Sequence, residues 1–294
     1  MWFQDARNLQ ILLLSLFLML GIGTRDWTLR WDVMLVGVVC CLLTQWLVTA
    51  LIPYLQFRRR RLPLIREGKL LNPFSWEALL SLRSAMITAL GLCLLLRAND
   101  YSTMAIAATL AILSKFLFRY RGKHFFNPAN FGIIVALLFT SDAWISPGQW
   151  GADWWYLLLF IGTGGMILQR VGRWDTSAAF LVSYISFEAL RHFWLGWSWD
   201  VLQHQLMSGS LLLFTFFMIT DPRSIPNARI SRLIWAVSLA WVTFILRDYF
   251  YVSTAVFWAL FALSPLTIVL DSIWTAPRFQ WKPKSKELVL GGQN

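Results

Sequence analysis

Ten apolar runs order the chain, each separated from the next by charge or by Pro and Gly clusters: residues 9–23, 33–53, 80–96, 102–118, 128–141, 154–169, 176–190, 205–220, 232–247 and 253–270. A helix needs about 20 apolar residues to cross about 30 Å of hydrocarbon, and a chain of 294 residues has room for about ten such crossings with short connections. The pattern predicts an all-α, polytopic membrane protein of about ten transmembrane helices. It forms a single integral membrane domain over 1–294, with 1–8 a cytoplasmic N-terminus and 271–294 a basic cytoplasmic tail. The first run, Leu9 to Leu20, follows Asp5 and Arg7 and has no A-x-A-like site after it, so it reads as a retained span rather than a cleaved signal.

The basic residues test the count. With a cytoplasmic N-terminus and every run crossing, the inner segments hold 19 basic residues, among them Arg58 to Arg61, Arg119, Arg121, Lys123, Arg170, Arg173, Arg223, Arg229 and Arg232. The outer segments hold five: Arg25, Arg30, Arg97, Arg191 and Arg247. This asymmetry orients the chain with both termini on the cytoplasmic side of the cell (inner) membrane, and dropping any interior span would scatter the positive charge to both sides. Trp144, Trp150, Trp154, Trp155, Trp194, Trp197 and Trp199 fall near the outer ends, as an interfacial aromatic belt requires. Five plus five spans would set the two halves in opposite orientation, the arrangement from which inverted-repeat folds arise.

Composition agrees. Hydrophobic residues make up 57% and charged residues 14%, against about 25% charged in a soluble domain, so the remaining surface must face lipid. The net charge of +11 would point to nucleic acid in a soluble chain; here it belongs to cytoplasmic loops, and no nucleic-acid partner is expected. Cys40, Cys41 and Cys93 lie inside apolar runs without C-x-x-C spacing, and His124, His192 and His204 have no metal-ligand spacing, so no metal, iron–sulfur or haem site is expected. Phosphate-loop, dinucleotide, zincin and serine-hydrolase motifs do not occur.

Two inner-side segments could carry chemistry. Before the fifth run stands Arg119-Tyr-Arg-Gly-Lys-His-Phe-Phe-Asn-Pro-Ala-Asn-Phe-Gly132. Asn127 followed by Pro128 is a helix start: Asn caps free amides and Pro accepts the first-turn φ. It is either a cap alone or, with Arg119, Arg121, Lys123 and His124 nearby, part of a polar pocket for an anion or heterocycle, which Gly122 and Gly132 would let approach the backbone. After the eighth run stands Thr220-Asp221-Pro222-Arg223; Asp221 either ends the helix and pairs with Arg223 or turns inward to accept from a ligand N–H. Lys115 reads as a snorkelling side chain, and Glu188, three residues from Arg191, as a candidate for an ion or proton path.

The order of motifs resembles a known family. Ser84-Ala-Met-Ile-Thr-Ala-Leu-Gly91, Gly122-Lys-His-Phe-Phe-Asn-Pro-Ala129, Ser208-Gly209 and Ile219-Thr-Asp-Pro222 are similar to segments of RnfD, a membrane component of the Rnf electron-transport complex, and of NqrB, its counterpart in the sodium-translocating NADH:quinone reductase, over about residues 80–271. The resemblance implies a ten-helix fold and a flavin-bearing electron carrier of an oxidoreductase or translocase system, working with redox partner proteins or other membrane subunits. It also implies a non-covalent riboflavin near Asn127 and the position held here by His124; joined to the residues read above, the candidate site for a non-covalent riboflavin or FMN is Asn127, His124, Asp221, Thr220 and Gly122. The family has an Asn at the His124 position, and an imidazole does not supply an amide's paired donor and acceptor. Family members attach FMN covalently to the Thr of S-x-A-T between the fifth and sixth spans; Ser141 to Asp153 contains no threonine, so no covalent FMN is expected. The reading is an RnfD/NqrB-like electron-transport protein with a non-covalent flavin near the cytoplasmic face. Its alternative is a small-solute transporter or channel on the same fold.

Overall fold

Helix occupies every one of the ten apolar runs in the computed structural model, which describes residues 5–24, 28, 30–59, 65–66, 69–70, 74, 76–146, 154–279 and 281. The first seven runs give α1 (Ala6–Thr24), α2 (Trp31–Trp46) continuing through a π-helical turn Leu47–Leu51 into α3 (Ile52–Arg59), α4 (Trp76–Leu95), α5 (Tyr101–Leu117), α6 (Pro128–Phe139), α7 (Trp154–Val171) and α8 (Trp174–Leu195). The eighth is broken into α9 (Trp199–Leu206) and α10 (Gly209–Leu213), which runs on through a second π-helical turn, Phe214–Met218. The ninth is α11 (Arg229–Asp248), and the tenth is broken into α12 (Ala255–Leu263) and α13 (Leu266–Ile273). The broken pairs bend by 52° and 47°. Strand is confined, among the described residues, to three two-stranded antiparallel ladders: Ile65–Arg66 with Lys69–Leu70 (β1, β2), Leu96–Ala98 (β3) with Ala143–Ile145 (β6), and Arg119–Tyr120 (β4) with Lys123–His124 (β5).

By length and composition four helices can cross a membrane, and six if each bent pair is one span; α5, α6 and α7 are apolar but shorter. The chain is an all-α, multi-pass membrane protein. Large apolar side chains point outward along the bundle, Phe139 being 77% and Phe193 80% exposed, as lipid-facing positions require. Inside, small residues let helices approach closely. A Cβ at Gly132 of α6 would stand 2.6 Å from the Ala107 carbonyl oxygen of α5, so this glycine serves helix contact and not the approach of a ligand.

The chain alternates between two ends. At one, which carries most of the described basic residues and is called here the basic end, Arg83 Nη1 meets Asp5 at 2.9 Å and Lys123 Nζ meets Asp271 at 2.7 Å. At the opposite end Asp142 accepts from the amides of Asn99 and Asp100 and from the Thr103 hydroxyl at 2.6–3.0 Å, and Arg30 Nη1 donates to the Asn99 carbonyl at 2.6 Å. Trp31, Trp144, Trp155, Trp194, Trp197 and Trp199 are exposed around that opposite end; Trp150 and the side chain of Trp154 lie outside the described residues, as do residues 1–4 and most of the expected basic tail.

Two expected side-chain placements are corrected. Lys115 does not snorkel: its residue is 5% exposed and Nζ donates to the Ser84 carbonyl and hydroxyl, both at 3.2 Å. Arg191 does not serve Glu188; its Nη1 meets Asp248 Oδ1 at 2.5 Å on α11. A buried ion pair ties the starts of α8 and α11: Arg232 Nε lies 3.2 Å from both Asp175 oxygens and Nη2 lies 2.5 Å from Oδ2, both residues being buried. Removing one partner leaves the other buried and unpaired. Asp175→Asn is therefore expected to cost about 3–5 kcal/mol of unfolding free energy in detergent, while the double change Asp175→Leu with Arg232→Met regains most of it; equal losses in single and double variants contradict this.

Candidate functional site

The hairpin β4–β5 turns through Arg121 at φ 50° and Gly122 at φ 81°, two consecutive left-handed residues as a tight two-residue hairpin requires. Gly122 is spent on this turn, and a Cβ there would meet Arg278 rather than a cavity. The hairpin delivers His124 to the basic end of the bundle, where its Nε2 lies 3.6 Å from Asp221 Oδ2. Three residues on, Asn127 is the N-cap of α6: its Oδ1 accepts from Asn130 N at 3.0 Å. Its Nδ2 donates to the Met218 carbonyl at 3.0 Å, closing the last residue of the π-helical turn. The asparagine is thus a cap and a cross-helix tie, and most of its hydrogen-bonding capacity is committed to the protein.

Asp221 follows that π-helical turn and a short bend. Its Oδ1 accepts from the backbone amide of Arg223 at 3.2 Å, so the expected partnership with Arg223 is made by the main chain. Burial pushes the Asp221 carboxyl up, but the His124 imidazole, the Arg223 amide and the charge of Lys115 together hold it below its usual range. Burial likewise lowers Lys123, against the pull of its partner Asp271. The Thr220 hydroxyl donates to the Phe216 carbonyl at 3.0 Å.

His124, Asn127, Thr220, Asp221 and Arg223 form the polar rim of a cleft of about 80 Å³ between α1, α4, α7 and the π-helical turn. Its deeper walls are apolar, including Leu14, Ile87, Leu213 and Phe217. Arg7 and Trp281 close its basic end, the guanidinium standing 5.3 Å from the indole centroid. The asparagine-headed and aspartate-tailed helices therefore meet at one cleft. Gly122 stands outside the lining. Sequence reasoning missed Ser84, Arg7 and Trp281 on the cleft, because nothing local in an apolar run or a terminal segment marks which helix it will face. A second, larger cavity of about 650 Å³ lies at the opposite end, at the α9–α10 break, lined by His204, Gln205, Ser208, Arg247 and Thr254 among others; it was not foreseen.

Residues 140–280 match the model of the NQR2, RnfD, RnfE family. The D-type component of the ion-translocating oxidoreductase complex from Halorhodospira halophila is 27% identical over 122 residues, 42% of this chain and 34% of that protein. The protein of the same name from Tolumonas auensis is 26% identical over 43% of this chain and 36% of its own length. That from Alcanivorax borkumensis is 24% identical over 66% of this chain and 74% of its own length. The chain thus spans about a third of the length of the first two relatives. The resemblance read from the motifs is borne out, at low identity.

Asn127→Ala is expected to cost about 1–3 kcal/mol, from the lost cap and the lost tie to the Met218 carbonyl, which keeps the Asp221 amide at 3.3 Å, with Asn127→Ser, which keeps a cap but does not reach Met218, in between; chemical unfolding in detergent checks the order. Because the folded Asp221 is held below its usual range, its contribution is present at neutral pH and disappears as the pH falls through the depressed value. Asp221→Asn should therefore flatten the acid limb of a stability profile; an unchanged acid limb contradicts this.

Proposed function

We propose that the chain is an RnfD-like membrane component of an ion-translocating redox system, and that it binds riboflavin or FMN without a covalent bond in the basic-end cleft, on the cytoplasmic side of the inner membrane. The observation that carries this reading is the convergence of His124, Thr220 and Asp221, from two segments distant in sequence, on one polar rim above apolar walls. Such a slot suits a planar ring with one heteroatom-rich edge and one hydrocarbon edge. The basic-residue asymmetry supports the orientation, and the names of the relatives support partnership with other membrane subunits.

The donor chemistry fits a flavin; the volume falls short of one. Small-molecule sites run from about 300 Å³ upward, and the cleft has about 80 Å³, so a tricyclic ring enters only if Arg7 and Trp281 part. When bound, the flavin supplies the electron transfer, and the chain supplies position, exclusion of water and local charge. The imidazole of His124 would hold the ring's polar edge, with the ionised Asp221 fixing the imidazole's orientation.

The purified protein should quench the fluorescence of added riboflavin or FMN saturably. His124→Ala is expected to weaken binding by about tenfold, equivalent to about 1.4 kcal/mol, whereas Ser253→Ala at the far cavity leaves it unchanged. Absence of saturable binding by either flavin overturns the proposal. The second reading, a small-solute transporter, draws on the 650 Å³ cavity at the opposite end; solute flux in proteoliposomes without any redox partner would favour it.

A further inference from the structure

Glu188 sits on α8 one turn after Tyr184 and one turn before His192, and it has no solvent exposure. Neither of its carboxyl oxygens makes a hydrogen bond of ordinary geometry, the Tyr184 hydroxyl being a donor that faces it. Asp248, at the end of α11, lies beside it; one Asp248 oxygen takes Arg191, and the other, Oδ2, also meets no donor. His192 Nδ1 stands 2.8 Å from the Glu188 carbonyl oxygen, which fixes the hydrogen on Nδ1 and leaves Nε2 as another buried acceptor without a donor. The contact between α8 and α11 is thus rich in acceptors and short of donors. Each unmet polar atom in a dry interior costs about 1–3 kcal/mol, and two facing carboxylates add mutual repulsion.

One proton removes most of this deficit. Placed on Glu188, it turns an acceptor into a donor, supplies Asp248 Oδ2 and leaves a single negative charge opposite Arg191. We propose that Glu188 and Asp248 share one proton, making the α8–α11 contact a proton-binding site. Among the described residues no group of three or more His, Cys, Asp or Glu side chains is placed to hold a metal ion.

The groups that face this pair are Tyr184, Arg191 and His192 on α8 and Arg247 on α11, while Asp200 and His204 of α9 line the nearby cavity. They also supply a route. Arg247 lines the 650 Å³ cavity and its Nη1 donates to the Tyr184 oxygen at 3.0 Å. That oxygen keeps a free lone pair and its own hydrogen. A proton arriving from cavity water adds to the Tyr184 oxygen as the phenol's original proton passes to Glu188, so the phenol is restored and one proton has moved inward. The site opens toward the end opposite the flavin cleft, and it does not depend on whether a flavin binds.

The test is infrared spectroscopy of the full chain in liposomes, with glutamate labelled by carbon-13. The wild type should show at neutral pH a protonated-carboxyl stretch that shifts with the label and with deuterium, and that vanishes in Glu188→Gln. Tyr184→Phe should slow its deuterium exchange several-fold. In parallel, Glu188→Gln, whose amide still donates to Asp248, should keep the wild-type melting temperature, while Glu188→Ala lowers it. A wild type without the glutamate-labelled band overturns the proposal, whatever the variants do. So does a band that persists in Glu188→Gln, or a Glu188→Gln protein as destabilised as Glu188→Ala.

Discussion

In hydrocarbon every backbone donor and acceptor must find a partner within the protein, and a helix that breaks inside the bundle exposes carbonyls with no water to take them. This chain breaks or widens its helices repeatedly, and side chains from other helices tie to carbonyls of the interrupted segments. Ser177 of α8 donates to the Thr215 carbonyl inside the second π-helical turn at 2.6 Å, and Asn127 donates to the last carbonyl of that turn, Met218. Asn130 of α6 reaches the Phe257 carbonyl of α12 at 3.1 Å, and Trp235 of α11 reaches the Leu263 carbonyl at the α12–α13 bend, also at 3.1 Å. Each tie runs from an intact helix to an interrupted one.

The two cavities are consequences of those interruptions. A continuous helix presents a closed ridge, whereas a π-helical turn or bend leaves a groove beside it. The basic-end cleft has the Phe214–Met218 turn as a wall, and the larger cavity opens where α9 gives way to α10. Asn127 therefore does two jobs at once. It starts α6 and, by gripping Met218, fixes the distance between that helix and the segment carrying Thr220 and Asp221. The rim of the cleft exists because the cap is also a clamp.

Helix was legible in the sequence wherever apolar residues ran uninterrupted, and so was the Asn127-Pro128 start, because caps are local chemistry. The convergence of His124 and Asp221 was legible only as two motifs on one side of the membrane. What escaped was set by contacts between segments distant in the chain. Periodicity places Glu188 and Arg191 on one helix face, yet the arginine finds Asp248 on α11, fifty-seven residues away. Lys115 stands near a helix end, where snorkelling is the local expectation, but the end is roofed by neighbouring segments and the ammonium turns to Ser84. Gly132 and Gly122 looked alike as permissive positions; one proves to be a helix contact and the other a hairpin turn.

A chain with only 14% charged residues can carry few of them inside, and the way the buried ones are met separates structure from function. Asp175 is answered by Arg232, and Lys115 by a serine hydroxyl and carbonyl. These groups consume one another's charge or donors and leave nothing for a ligand. Asp221 differs, because its imidazole partner at 3.6 Å is titratable and the pair borders a void. Glu188 differs more, since neither of its carboxyl oxygens makes an ordinary hydrogen bond and the Tyr184 hydroxyl that faces it is shared with Arg247. Asp221 and Glu188 lie at opposite ends of the bundle, Asp221 on the cleft walled by the Phe214–Met218 turn and Glu188 near the cavity at the α9–α10 break.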